Sequence, residues 1–192
     1  MNDREHDDVE EAAESPPEIA LIGDLSETES DVCDKILGIP PGSACTLYIN
    51  SPGGGAYTAI SLMTLIRLRG LHVTGIVTGE CSSAALWPFA VCGRRLVTPY
   101  SVFLFHPMKW QSDEHVQLPE AVEWARHFGM LERDMDELLA RLFGIPFEQL
   151  LGWVRPGRYL FGRQIAEAGL AELIDLAPLD FAPDAGPDAG QG

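Results

Sequence analysis

Apolar runs of strand length alternate with segments of helical period along most of this chain. Ile19 to Ile22 is a short apolar run stopped by Gly23 and Asp24. SETESDVCDKILGI then places Val32, Cys33, Ile36 and Leu37 on one helical face, with Ser26 and Glu29 at capping-box spacing and Gly38 as the stop. CTLYIN (45–50) reads as a second strand, and Ala56 to Arg69 as a helix with Leu62, Leu65, Ile66 and Leu68 apolar, closed by Gly70. Leu71 to Thr78 is a near-continuous apolar strand, and SSAALWPFAVCG (82–93) a short apolar helix that tolerates Pro88 only near its first turns or at a kink. RRLVTPYSVFLFHP (94–107) supplies two more short strands, the second from Ser101 to Phe105. A long helix follows from Leu118 to Phe143, with Glu123, Arg126, Glu132, Arg133, Asp136 and Arg141 between its apolar positions. Strands alternating with helices predict a parallel α/β sheet with crossover helices.

The apolar stripe of the long helix is broader than one neighbour would cover, so part of it is expected to face another subunit, with Leu131 and Met135 as candidate contacts. The chain of 192 residues is enough for one buried core. The expected division is an acidic disordered segment over 1–18, one domain over 19–177, and a disordered Pro/Gly/Ala-rich tail over 178–192.

Charge narrows the function classes. Of the net −16, eight acidic side chains against one arginine fall in the first 18 residues. Residues 19–177 hold 18 acidic and 12 basic side chains with no Lys/Arg stripe, which argues against nucleic acid as a partner. Cys33, Cys45, Cys81 and Cys92 form no CxxC pair, so they read as packing residues in a reducing compartment, and neither metal nor cofactor is expected. The acidic start and the lack of a long uncharged apolar stretch lead to the expectation of a cytoplasmic protein without a membrane partner.

In a parallel sheet the loops at the carboxyl ends of the strands meet at one edge. Three of these loops carry unusual residues: SPGGG (51–55), GECSS (79–83) and the His106–Pro107 step. Each has a bland reading. The glycines could form only a strand-to-helix turn, Ser82 and Ser83 could be helix caps, and His106 could be a packed imidazole. Together they supply a nucleophile, a base and backbone N–H donors, the parts of an acyl-transfer site.

YINSPGG (48–54), GECSSA (79–84) and SVFLFHPM (101–108) resemble the proteolytic subunits of the Clp protease, ClpP-like serine peptidases of the crotonase-like superfamily. The resemblance runs from about Ile19 to Asp175. It implies an α/β fold with a parallel sheet, crossover helices and a long handle helix. It places the nucleophile on Ser83, the base on His106, and the oxyanion donors on the backbone N–H groups of Gly54 and Ala84. It also implies a homo-oligomer, a ring of seven and in some cases a double ring, that cleaves peptides or unfolded chains in an internal chamber fed by an unfoldase ATPase.

Several residues depart from the family pattern. Ala84 and Ala85 stand where Met-Gly is usual, the family's HQP is HPM here, and the stretch between the first strand and YINSPGG is short. Matching Arg158-Tyr159 to the family's Arg-Phe pair puts Gly157 at the position of the triad aspartate. A backbone carbonyl, a water, or one of Asp113, Glu114 and Asp175 would then have to orient His106. Two other readings stand beside the peptidase: a weak or inactive ClpP-like structural subunit, and a crotonase-like acyl-thioester enzyme that needs no serine.

Overall fold

The computed structural model describes residues 15–111 and 115–176. The terminal segments expected to be disordered, and the candidate acids Asp113 and Glu114, lie wholly or largely outside these described residues. The main sheet has the order β1 (Glu18–Ile22), β2 (Ala44–Ser51), β3 (His72–Cys81), β4 (Arg94–Val97) and β7 (Glu172–Leu173), with every pairing parallel. The end of β3 also pairs with β5 (Val102–Phe105), which pairs antiparallel with β6 (Arg158–Phe161). Two helices, α1 (Leu25–Gly38) and α2 (Ala56–Leu68), make the first two crossovers.

The expected α/β order holds, and the differences have local causes. Asp24, not Ser26, caps α1: its carboxylate accepts the Ser26 N–H at 2.8 Å. Ser26 and Glu29 reach α2 instead, the Ser26 hydroxyl accepting the Gly55 N–H at 2.9 Å and the Glu29 carboxylate accepting the Thr58 hydroxyl at 2.8 Å. The expected capping box is thus a latch between two helix starts. Leu68, assigned to the apolar face, is 81% exposed at the end of α2. The predicted helix after Cys81 is a 3-10 turn, Ser83–Ala85, followed by the five-residue α3 (Leu86–Ala90), with Pro88 in its first turn, where its missing N–H costs nothing.

Leu21, Ile49, Val77 and Val97, one from each of four neighbouring strands, are fully buried against Leu25, Ile36, Leu62, Phe89 and Ile165. Removing such apolar surface from water contributes about 1.5–3 kcal/mol per large side chain, which fixes the register of the strands on which the site is built. The long helix α4 (Leu118–Phe143) ends on Gly144 at φ 71° and is about 39 Å long at about 1.5 Å per residue. Its buried residues, Met135, Asp136, Leu139, Ala140 and Phe143, all fall in the C-terminal third, while Leu118, Val122 and Met130 are exposed. Met135, expected at a subunit contact, is therefore in the core of this chain, and Leu131 is half-buried. Two elements follow that the hydrophobic pattern did not give, α5 (Phe147–Val154) and β6; then α6 (Gly162–Glu167) leads to β7.

Candidate active site

The YINSPGG stretch builds a rigid turn from its own polar atoms. Ser51 is fully buried, donates from its hydroxyl to the Gly23 carbonyl at 2.6 Å, and accepts the Gly53 N–H at 3.1 Å. Asn50 reaches across to β3, its side-chain oxygen accepting the Glu80 N–H at 3.0 Å. The Gly53 carbonyl accepts the Leu25 N–H at 2.8 Å, and the Gly55 N–H goes to Ser26. Of the three successive glycines, Gly54 alone has an N–H with no partner among the described residues, and Gly54 lines a cleft of about 360 Å³. At φ 145° a β-carbon there would lie 2.7 Å from the Asp24 carboxylate oxygen, so the cap of α1 and the open N–H require a glycine between them.

The two serines separate cleanly. Ser82 continues the extended strand at φ −116°, is 1% exposed, and its hydroxyl is buried without a hydrogen-bond partner among the described residues. Ser82 holds the cap position of the 3-10 turn without making a side-chain cap bond, so capping does not account for it. Ser83 turns the chain at φ 52°, the sole non-glycine residue at positive φ among those described, and lines the cleft. A strained serine between a strand and a helix is the geometry that exposes a nucleophilic hydroxyl in α/β-hydrolase folds. Ala84 lines the same cleft at the start of the helical turn.

His106 follows β5 and lines the cleft with Ser83, Ala84 and Gly54. The register Phe105↔Arg158 sets Gly157 opposite His106, and a β-carbon on Gly157 would stand 3.7 Å from the His106 β-carbon. The position beside the imidazole is thus occupied by a residue without a side chain. Asp175 is an exposed residue just beyond β7 and does not line the cleft. Nδ1 of His106 is 2.6 Å from the Pro107 carbonyl oxygen. A carbonyl only accepts, so Nδ1 carries a hydrogen, and in the neutral ring the lone pair is then on Nε2. Among the described residues no hydrogen bond joins Ser83 to His106, which fits an empty site that tightens around substrate.

Two contributors to the cleft went unnoticed in the sequence. Trp87 donates its indole N–H to the Met135 carbonyl at 3.0 Å, docking α3 against α4. Asp136, assigned by its helical position to the polar face, is only 5% exposed and lines the cleft. Burial, and then the nearby Glu132, push its carboxyl up to about 6 while Arg155 opposes the shift. A buried carboxylate amid solvent-facing charges leaves no mark in a hydrophobic pattern. The cysteines do not enter the site: Cys81 and Cys92 are buried, and burial pushes the Cys92 thiol up to about 12.

The fold and cleft define a class: a parallel α/β protein with a strained serine, a histidine and a glycine-loop N–H gathered at the carboxyl ends of its strands. The chain belongs to the Clp protease family, whose model matches residues 4–175. It is 25% identical over 130 residues to the ATP-dependent Clp protease proteolytic subunit of Pleurastrum terricola, covering 67% of this chain and 65% of that protein. Against the subunit of the same name from Bacteroides fragilis it is 25% identical over 141 residues, 71% of this chain and 66% of the relative. The chain thus spans just under two thirds of the length of these relatives. Among solved structures, a point variant of ClpP1 from Listeria monocytogenes matches with a TM-score of 0.73 at 19% identity, covering 82% of this chain and 91% of that one, which shows the fold.

Gly157 lies at φ 98°, where any β-carbon is strained, so restoring a carboxylate there carries a backbone penalty of about 1–2 kcal/mol. Gly157→Ala and Gly157→Asp share that penalty and differ in the carboxylate. If the missing acid limits the site, the Asp variant should hydrolyse an unstructured peptide about tenfold or more faster than the Ala variant, with both compared at matched folded fraction. Equal rates would mean that the Pro107 carbonyl already does the orienting.

Proposed function

We propose that this chain is a serine endopeptidase acting on unfolded chains or short peptides. The reading is carried by one cleft lined by Ser83 at φ 52°, His106 with its Nδ1–H held by a carbonyl, and Gly54, whose N–H has no partner among the described residues. The Ser83 hydroxyl attacks the peptide carbonyl while His106 Nε2 takes its proton. The negative charge that develops on the carbonyl oxygen is met by the N–H groups of Gly54 and Ala84. His106 then returns the proton to the leaving amine, and water repeats the sequence to free the acyl group.

A glycine at the position of the triad acid lowers the expected rate without removing the mechanism. A side-chain amide in place of a triad aspartate favours the wrong tautomer and costs about 10⁴ in rate. The Pro107 carbonyl holds the correct tautomer but, being neutral, stabilises the imidazolium less than a carboxylate would. A second reading, a weak or inactive structural subunit, is favoured by the absence of a side chain at Gly157 and of a Ser83–His106 hydrogen bond among the described residues. A fluorophosphonate probe separates the two: the expected result is a single adduct that peptide mapping places on Ser83. No adduct on the assembled protein would overturn the peptidase reading, and an adduct on Ser82 would overturn the assignment of the nucleophile to Ser83. An acyl-thioester enzyme would likewise leave Ser83 unlabelled.

We further propose that the active form is a homo-oligomeric ring, of seven subunits and in a double ring where the helices meet, working in the cytoplasm. The curated relatives are described as ATP-dependent, which supports an unfoldase ATPase as partner. The physical support for assembly is α4, whose projecting part leaves Leu118 at 78%, Val122 at 61% and Met130 at 55% exposure. Burying each contributes about 1.5–3 kcal/mol, enough over several copies to hold a ring. Sedimentation velocity at micromolar concentration should show a species many times the 21.0 kDa chain, and Val122→Asp with Met130→Asp should shift it to smaller species. A monomer in the native protein would overturn the proposal.

A further inference from the structure

Asp136 is a carboxylate 5% exposed, with no hydrogen bond or ion pair among the described residues, at the wall of the cleft that Ser83 lines. The Trp87–Met135 bond ties Asp136's neighbour on α4 to a residue four positions after Ser83 in the chain. Glu132, one turn earlier on α4, lines the cleft as well. Arg155, beyond α5, approaches Glu132 at 3.6 Å and attracts Asp136 without contacting it. The remaining ionisable side chains of the lining are Tyr57, His106 and Lys109, the last on the exposed rim beyond β5. The cleft therefore contains an anion that nothing within it neutralises by contact. An anion buried in this way is stabilised when a cation is brought to it. Its neighbours Trp87, Phe128 and Met135 supply apolar wall. Apolar walls with a buried carboxylate match a side chain that has a methylene stem and a cationic head.

We propose that this cleft receives a lysine or arginine side chain of the substrate, next to the bond that Ser83 cleaves, with Asp136 as its anionic partner. The proposal rests on the peptidase reading for its kinetic consequence, but the cation site can be measured without catalysis. The burial that raises the Asp136 carboxyl to about 6 gives binding a pH signature: neutral and weak at pH 5, ionised and strong at pH 7.5.

Two measurements test it. Titration of the whole protein with benzamidinium, followed by tryptophan fluorescence, should show affinity about tenfold above that for neutral benzamide at pH 7.5. That affinity should fall about tenfold at pH 5 and be lost in Asp136→Asn. Fluorogenic peptides that differ only in the residue before the scissile bond should be cleaved with kcat/KM at least about tenfold higher for lysine or arginine than for norleucine, and Asp136→Asn should reverse the order. Equal affinity for the charged and neutral probes, or an Asp136→Asn effect that lowers both peptides alike, would overturn the cation site. Selective binding of benzamidinium with cleavage of neither peptide would uphold the site and sink the peptidase reading instead.

Discussion

Ser83→Ala should abolish fluorophosphonate labelling and lower peptide hydrolysis at least about a thousandfold, while Ser82→Ala keeps the label and most of the rate. The Ser83 expectation follows from the chemistry of a unit: without the nucleophile, His106 has nothing to activate, and only binding and oxyanion donors remain. The Ser82 expectation follows from burial. Its hydroxyl is shut into the protein at 1% exposure with no partner among the described residues, so alanine removes a desolvated polar atom and leaves the backbone bond from the Ser82 N–H to Ser51 in place. Thermal unfolding should show Ser82→Ala as stable as the parent or more so, since an unpartnered buried hydroxyl costs about 1–3 kcal/mol. Labelling and turnover are the measurements; comparable loss in both variants would mean that the nucleophile has been assigned to the wrong side chain.

The sheet was legible because its strands are short, mostly apolar runs bounded by turn residues, although in β1, β2 and β3 buried positions alternate with exposed or half-buried ones. Leu21, Ile49, Val77 and Val97 sit in the core where the pattern put them. The pattern was weaker where tertiary contacts decide. β3 runs on to Cys81 because Asn50 and β5 give its last residues partners, and neither partner is visible locally. FEQLLGWV has an apolar face too short to separate helix from strand, and only packing against the core at Leu150 and Val154 settles it as α5.

The cleft was legible in a different way. Gly54, Ser83, Ala84 and His106 are in three separate segments, yet each follows a strand of the sheet, so topology alone brings them to one edge. The antiparallel register of β5 and β6 likewise sets Gly157 opposite His106. A backbone carbonyl was among the expected partners of the imidazole, but which one was not legible, because the Pro107 carbonyl that Nδ1 meets is a group every residue carries. Asp136 was hidden for the opposite reason: its spacing from Glu132 on an amphipathic helix is that of two solvated charges, whereas in the folded chain it is buried beside Met135, which Trp87 holds.

The glycine loop and the serine turn are a single mechanical unit, and Gly53 is where they touch. Gly53 lies at φ 105°, and a β-carbon there would stand 2.7 Å from the Ser83 β-carbon, 2.8 Å from the Ser82 carbonyl oxygen and 2.9 Å from the Ala84 nitrogen. Two of these three atoms are backbone, so no side-chain rotation relieves the contact. Gly53→Ala should destabilise the fold by about 2–4 kcal/mol, combining left-handed strain with overpacking. It should also push the Ser83 turn away from the Gly54 N–H, and a displacement of about 1 Å in such a site costs about a hundredfold in rate. Gly70→Ala is the matched control: Gly70 has φ 62° but nothing within 4 Å of its β-carbon position, so it carries strain of about 1 kcal/mol and leaves the cleft alone. Measured at a temperature where both variants are folded by circular dichroism, Gly70→Ala should retain the parent's turnover and Gly53→Ala should lose about two orders of magnitude of it. Equal turnover in the two would mean that the approach of the glycine loop to Ser83 serves packing alone and that the oxyanion donors lie elsewhere.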